Sequence, residues 1–178
     1  IANTKYQNQP ISLNAKLLFN NDILTLEALK GTAPEITVDG AGTFSTQNNM
    51  FDGKIDVSAA DLSYYKDLLS LDIAGQVKAE AVFNSQNNVQ SVDIQASLQK
   101  IKFETILLGS ADAKMHFNDV KYLWPQTGNI QISDLIVSDG ISLDSARVDL
   151  KDIGNESYII SLLGNAHVPS AVSFKGSV

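Results

Sequence analysis

The sequence predicts an all-β chain, an antiparallel meander with one apolar and one polar face. Three observations lead there. Apolar and polar residues alternate with period 2 over nearly the whole length, the signature of half-buried strands. Asn- and Gly-containing turn signals separate the alternating runs. Helical spacing is confined to one segment near residues 61–69.

Taken in order, Ile11, Leu13, Ala15, Leu17 and Phe19 alternate with Ser12, Asn14 and Lys16, and Leu26 follows as a further apolar candidate. Ile36 and Val38 lead through Gly40 and Gly42 to Phe44. Gly53, Ile55, Val57 and Ala59 oppose Lys54, Asp56 and Ser58. The longest run is Leu71, Ile73, Gly75, Val77, Ala79, Ala81 and Phe83, with Asp72, Gln76, Lys78 and Glu80 between. Val92, Ile94, Ala96 and Leu98 form the next, then Gly109, Ala111, Ala113, Met115 and Phe117. Ile130 and Ile132, Ala146 to Leu150, Tyr158 to Leu162, and Val172 with Phe174 extend the pattern to about a dozen short strands.

Turns are expected at Asn20-Asn21-Asp22, Gln47-Asn48-Asn49 and Gln86-Asn87-Asn88, because Asn tolerates the positive φ of tight hairpins. Asp139-Gly140, Lys30-Gly31 and Gly154-Asn155 read the same way. Leu62, Tyr65, Leu68 and Leu69 make one face of a short helix, with Asp61 as N-cap. Tyr122-Leu123-Trp124-Pro125-Gln126 reads as a loop, since proline removes a backbone donor.

Composition excludes several classes of function. Lys and Arg number 13 against 20 Asp and Glu, a net charge of −7, which disfavours nucleic acid and a basic membrane-surface role. With no cysteine there is no disulfide, thiolate metal site or cysteine nucleophile. His116 is expected on a polar strand face and His167 in a loop, and no third partner completes a catalytic triad. Gly40-Ala41-Gly42 lacks the third glycine of a dinucleotide fingerprint, and Asp52 with Asp56 is an ordinary solvated carboxylate pair. Asn155-Glu156-Ser157 matches a glycosylation sequon but reads as a turn, and Trp124 reads as packed locally. No catalytic residue, metal site or cofactor is assigned, and the chain is not expected to be an enzyme. No run approaches the ~18 apolar residues of a spanning helix. The start at Ile1 and the alternating end through Val178 suggest one segment, residues 1–178, of a longer chain.

A sheet with one dry side must cover it. With helices scarce, the sheet has to curl into a sandwich, a closed barrel or a partly closed trough. The dry face is rich in Gly and Ala, which leaves room for an elongated apolar ligand. Its expected lining is Leu13, Leu17, Phe19, Leu26, Ile36, Val38 and Phe44, then Ile55, Val57, Leu71, Ile73, Val77 and Phe83. Val92, Ile94, Leu98, Met115, Phe117, Ile130 and Ile132 complete it.

The segments Asp61-Leu-Ser followed by Leu68-Leu-Ser-Leu71-Asp-Ile73-Ala-Gly75-Gln-Val77-Lys-Ala79, and Val38-Asp-Gly40-Ala-Gly42-Thr-Phe44, carry a resemblance. So does Val92-Asp-Ile94-Gln-Ala96-Ser-Leu98 with Leu108-Gly-Ser-Ala111-Asp-Ala113. The chain resembles the TamB/AsmA-like family of bacterial envelope proteins, best over residues 11–117. The resemblance implies a sheet folded lengthwise into a taco-like trough with an apolar interior. It implies a periplasmic segment of a protein anchored in the inner membrane, whose groove carries phospholipid acyl chains between membranes. It also implies an Omp85-type outer-membrane barrel as partner, bound through regions outside this segment. The alternatives are a scaffold for outer-membrane protein assembly and a self-filled β-sandwich.

Overall fold

The computed structural model describes residues 2–6, 9–122, 124–138, 141–154 and 157–167. These hold one eleven-stranded antiparallel sheet in which every strand pairs with its neighbours in sequence. The strands are β1 (Ala2–Tyr6), β2 (Gln9–Asn20), β3 (Ile23–Ala33), β4 (Ile36–Ser45), β5 (Met50–Ala59) and β6 (Ile73–Gln86). They continue as β7 (Val89–Phe103), β8 (Ile106–Phe117), β9 (Thr127–Ser138), β10 (Ile141–Gly154) and β11 (Ser157–His167). The first and last strands do not pair with each other, so the sheet is an open trough and not a barrel. Apart from β1, each strand has 10 to 15 residues, longer than the short strands the alternation suggested.

Local chemistry sets the turns. Asn21 (φ 45°) with Asp22 (φ 65°), and Asn87 (φ 53°) with Asn88 (φ 59°), are consecutive left-handed pairs, as a type I′ hairpin requires. Asn49 (φ 57°) closes the β4–β5 turn. Lys30-Gly31 is not a turn. Both residues lie inside β3, paired with Asn14 and Leu13 on one side and Asp39 and Val38 on the other. The real turn comes at Pro34-Glu35, where Glu35 adopts φ 61°. Asp139-Gly140 and Asn155 lie outside the described residues, although the flanking strands pair as a hairpin would demand.

The expected helix is present as a 3-10 turn, Leu62–Tyr65, running into a single α turn, α1 (Lys66–Leu69). The Asp61 carboxylate accepts from the Ser63 amide at 2.8 Å, and hydrogen bonding from the Ser63 hydroxyl, then from that amide, lowers the pKa of the carboxyl. Ser70, left-handed at φ 54°, ends the helix. The segment is tied to one end of the sheet. Tyr65 Oη donates to the Pro34 carbonyl at 2.5 Å, and the Asp72 amide donates to the Glu104 side chain. Its apolar face is only partly used, for Leu68 and Leu69 are exposed. Leu71 lies in the bend before β6 and not in the strand. His167, expected in a loop, is the last residue of β11.

A line of irregular residues crosses five strands at one level: Gly75 in β6, Lys100 in β7, Gly109 in β8, Asp134 in β9 and Asp144 in β10. Gly75 (φ 114°), Lys100 (φ 51°) and Asp134 (φ 54°) have positive φ. At this level the apolar series resumes after three positions instead of two: Leu98 to Ile101, Leu108 to Ala111, Ile132 to Leu135, Leu143 to Ala146, and in β7 and β9 the step contains a left-handed residue, which breaks the pleat. The line is a crease that bends the sheet without exchanging its faces.

Candidate functional site: an open apolar groove

Register turns the alternation into continuous rows. One row runs Ala2, Leu13, Gly31, Val38, Val57, Ala79, Ala96, Ala113, Ile130, Val148, Leu162, one residue from each strand and every one apolar. The adjacent row is wholly polar: Asn14, Lys30, Asp39, Asp56, Glu80, Gln95, Lys114, Asn129, Asp149, Ser161. Because side chains alternate across the pleat, the two rows face opposite ways. A third row joins Leu17, Leu26, Gly42, Gly53, Phe83, Val92 and Phe117, gathering five of the expected lining residues.

The apolar face is poorly covered. The described residues include no second sheet to lie against it. Among the described residues the buried ones are Ala59, Val92, Ala111, Ala113 and Ala146, all on this face and four of them alanines. Of the expected lining, Val92 is buried, while Leu13, Leu17, Phe19, Val57 and Leu71 are exposed and the remainder half-buried. Phe19 is 66% exposed, close to an unfolded chain. The accessible surface is 12229 Å², whereas a compact protein of 19.2 kDa exposes roughly 8,400 Å².

Leu71 alone among the expected lining residues falls outside the strands and their rows. The alternation understated the part played by Phe51. Its ring lies over the paired glycines Gly42 and Gly53, where an added Cβ would come within 2.5 and 2.6 Å of the ring. It also meets Phe83 edge-on at 5.5 Å. The two glycines make room for an aromatic lid on the groove floor. A pair of glycines opposite each other, each two residues from a Phe, was the available signal.

The polar face is a different environment. Lys54 Nζ bridges Asp56 at 3.2 Å and Glu80 at 2.7 Å, relieving like charges on adjacent strands. The Glu80 and Asp56 carboxylates raise the Lys54 ammonium's pKa. A concavity of about 430 Å³ opens here between Thr37, Asp39, Ser58, Lys78, Ser97 and Asp112. A twisted sheet is saddle-shaped, so such a depression belongs to its curvature. His116 Nδ1 lies 2.7 Å from Asp93 Oδ1 and Nε2 lies 2.8 Å from Asn118 Oδ1. Both ring nitrogens face oxygen acceptors, an arrangement satisfied by the imidazolium, and the Asp93 carboxylate raises the His116 pKa. Among the described residues, no cluster of three acidic, His or Cys side chains could hold a metal ion. None of their helices is long and apolar enough to cross a membrane.

Comparison with protein-family models, with curated proteins and with solved structures finds no match.

Proposed function

We propose that this chain is a section of a lipid-carrying trough, in which phospholipid acyl chains lie on the apolar face and head groups remain in water. The observation that carries the reading is the apolar row that runs through all eleven strands, in which Leu13, Val57 and Leu162 are exposed and Gly31, Val38, Ala79, Ala96, Ile130 and Val148 are half-buried. A self-filled core of this size buries large side chains, whereas among the described residues here the buried set is one valine and four alanines. The resemblance to TamB/AsmA-like envelope proteins supports the same reading, with a periplasmic setting, an inner-membrane anchor elsewhere in the protein and an Omp85-type partner.

The energetics suit transport. Burying a methylene is worth about 0.8 kcal/mol, in a groove as in a bilayer. An acyl chain moving from one to the other gains and loses similar amounts, so no step is a deep trap. Across eleven strands spaced ~4.8 Å, the apolar lane is roughly 48 Å long. It presents aliphatic side chains and no charged group to fix a head group, so selectivity for lipid class should be low.

The test is native mass spectrometry with lipid extraction on protein purified from bacteria without detergent. Co-purifying phospholipid of mixed head groups is expected. Protein that emerges free of lipid, and takes up none from vesicles, overturns the proposal.

A further inference from the structure

The apolar lane crosses the strands, so its two long margins are the two sets of hairpin turns, and these differ in chemistry. Aromatic rings collect at one margin. Six phenylalanines lie among the described residues, and five stand on the groove face beside the same set of turns. Phe19, Phe44 and Phe51 share one row through Leu24, and Phe83 with Phe117 belong to the next row inward. Each lies within three residues of its strand's end. The sixth, Phe103, is at the opposite margin.

Charge divides the same way. Beside the five rings, residues 20–22, 47–49 and 86–88 are all exposed and comprise eight Asn or Gln and one Asp. The β8–β9 connection adds Asp119 and Lys121, whose charges cancel. Across the groove, residues 34–35, 60–72 and 104–105 hold no Asn or Gln. They carry five exposed carboxylates, on Glu35, Asp61, Asp67, Asp72 and Glu104, against Lys66. Lys102 pairs with Asp72 at 2.5 Å, which leaves this margin acidic. Fifteen residues of β7 at ~3.3 Å set the margins roughly 46 Å apart, several times the ~8 Å over which salt screens a charge. Each margin therefore acts on a ligand separately.

Every phospholipid carries a phosphate beside its glycerol. Asn and Gln amides donate hydrogen bonds to phosphate oxygens, whereas carboxylates have no donor and repel them. We propose that phospholipids lie across the groove, parallel to the strands, with glycerol and phosphate at the Asn- and Gln-rich margin and acyl chains running toward the crease. The phenylalanine rings then cover the first carbons of each chain, the ones water reaches most readily, with large apolar area. The length fits. From Val92, in the row of Phe83 and Phe117, to Leu98, the last groove residue before the crease, is six residues or ~20 Å. An acyl chain spans half of the ~30 Å bilayer core, about 15 Å. Amides that read the common phosphate leave lipid class unselected. The inference rests on the lipid-carrying reading and adds a direction to it.

Because the chain has no cysteine, single labels test it. Asn48 stands at the neutral margin and Thr105 at the acidic one, both exposed. Asn48→Cys and Thr105→Cys each receive a fluorophore and are loaded from phosphatidylcholine vesicles that contain phosphatidylcholine with a nitroxide on its head group. Lipid retained after gel filtration is measured by extraction. The nitroxide should quench the label at position 48 several-fold more than the label at position 105. Retained lipid with equal quenching, or stronger quenching at 105, overturns the orientation while the lipid-carrying reading stands. No retained lipid overturns that reading and the orientation with it. A second measurement needs no label. Asn48→Asp/Asn88→Asp keeps side-chain size, adds two charges and should cut uptake of phosphatidylglycerol from vesicles roughly threefold or more. Asp67→Asn/Glu104→Gln, at the far margin, should leave uptake near the wild-type value. Equal effects of the two pairs overturn the proposal.

Discussion

Gly75→Ala probes the crease directly. Gly75 sits at φ 114°, a conformation that L side chains rarely adopt, and an added Cβ would fall 2.6 Å from the Lys100 carbonyl oxygen and 2.8 Å from Ile101 Cα. Both obstacles are backbone atoms, so no side-chain rotation relieves them. The positive φ costs about 1–2 kcal/mol. Displacing the neighbouring strand adds about 1–3 kcal/mol. The expected loss is about 2–5 kcal/mol, a large part of the ~5–15 kcal/mol that holds a domain together. With a urea m-value near ~2 kcal/mol/M, the midpoint should fall by roughly 1–2.5 M at unchanged m. Gly128→Ala is the control. Its Cβ would meet nothing nearer than Leu150 Cβ at 3.5 Å, an ordinary contact. Alanine there should leave stability unchanged or raise it by about 0.5 kcal/mol. Equal midpoints for the two variants would refute the crease as a strained, glycine-dependent bend.

Lys100→Gly removes a side chain from a left-handed position (φ 51°) on the same line and should raise the urea midpoint by the equivalent of up to ~1 kcal/mol. The His116 clasp contributes while the imidazole is charged. Its pKa is raised in the folded chain, so the contribution is complete below the unfolded value near ~6.5 and is lost as pH rises through the folded value. Being partly exposed, it should amount to a fraction of a kcal/mol. Thermal melts at pH 6 and pH 8 should differ for wild type and less for His116→Gln. Ile73→Arg, half-buried at the start of β6, should stay folded by circular dichroism because the long side chain can reach water, yet carry less lipid. Gln76→Arg, exposed on the polar face, should change neither property.

Much of the sheet was legible because the period of 2 is strict where pairing is regular. From Ile36 to Phe44 and from Val77 to Phe83, every second residue is apolar or glycine, and the structure places all of them on one face. β3 was not recognised as a strand because a bulge interrupts it. Leu26 and Leu29 stand three apart across Glu27-Ala28, which oppose the single Ala41, and Gly31 imitated a turn. The crease was hidden for a related reason, since an apolar spacing of three in four successive strands resembles noise unless the strands are aligned. Leu71 was assigned to β6 by parity alone, whereas left-handed Ser70 and the Asp72–Glu104 latch start that strand at Ile73. For the groove, composition revealed the small residues, but only register showed that Gly42 and Gly53 face each other beneath Phe51.

The central claim is that one face of this sheet meets acyl chains and the other meets water. Ile94 and Gln95 are consecutive in β7 and lie in adjacent rows on opposite faces. A photoreactive amino acid at each position, irradiated in living bacteria, compares the two faces at the same point along the groove. The account predicts a lipid adduct by mass spectrometry from position 94 and none from position 95. Equal labelling at both positions, or no lipid at position 94 in protein that is folded and abundant, would contradict it.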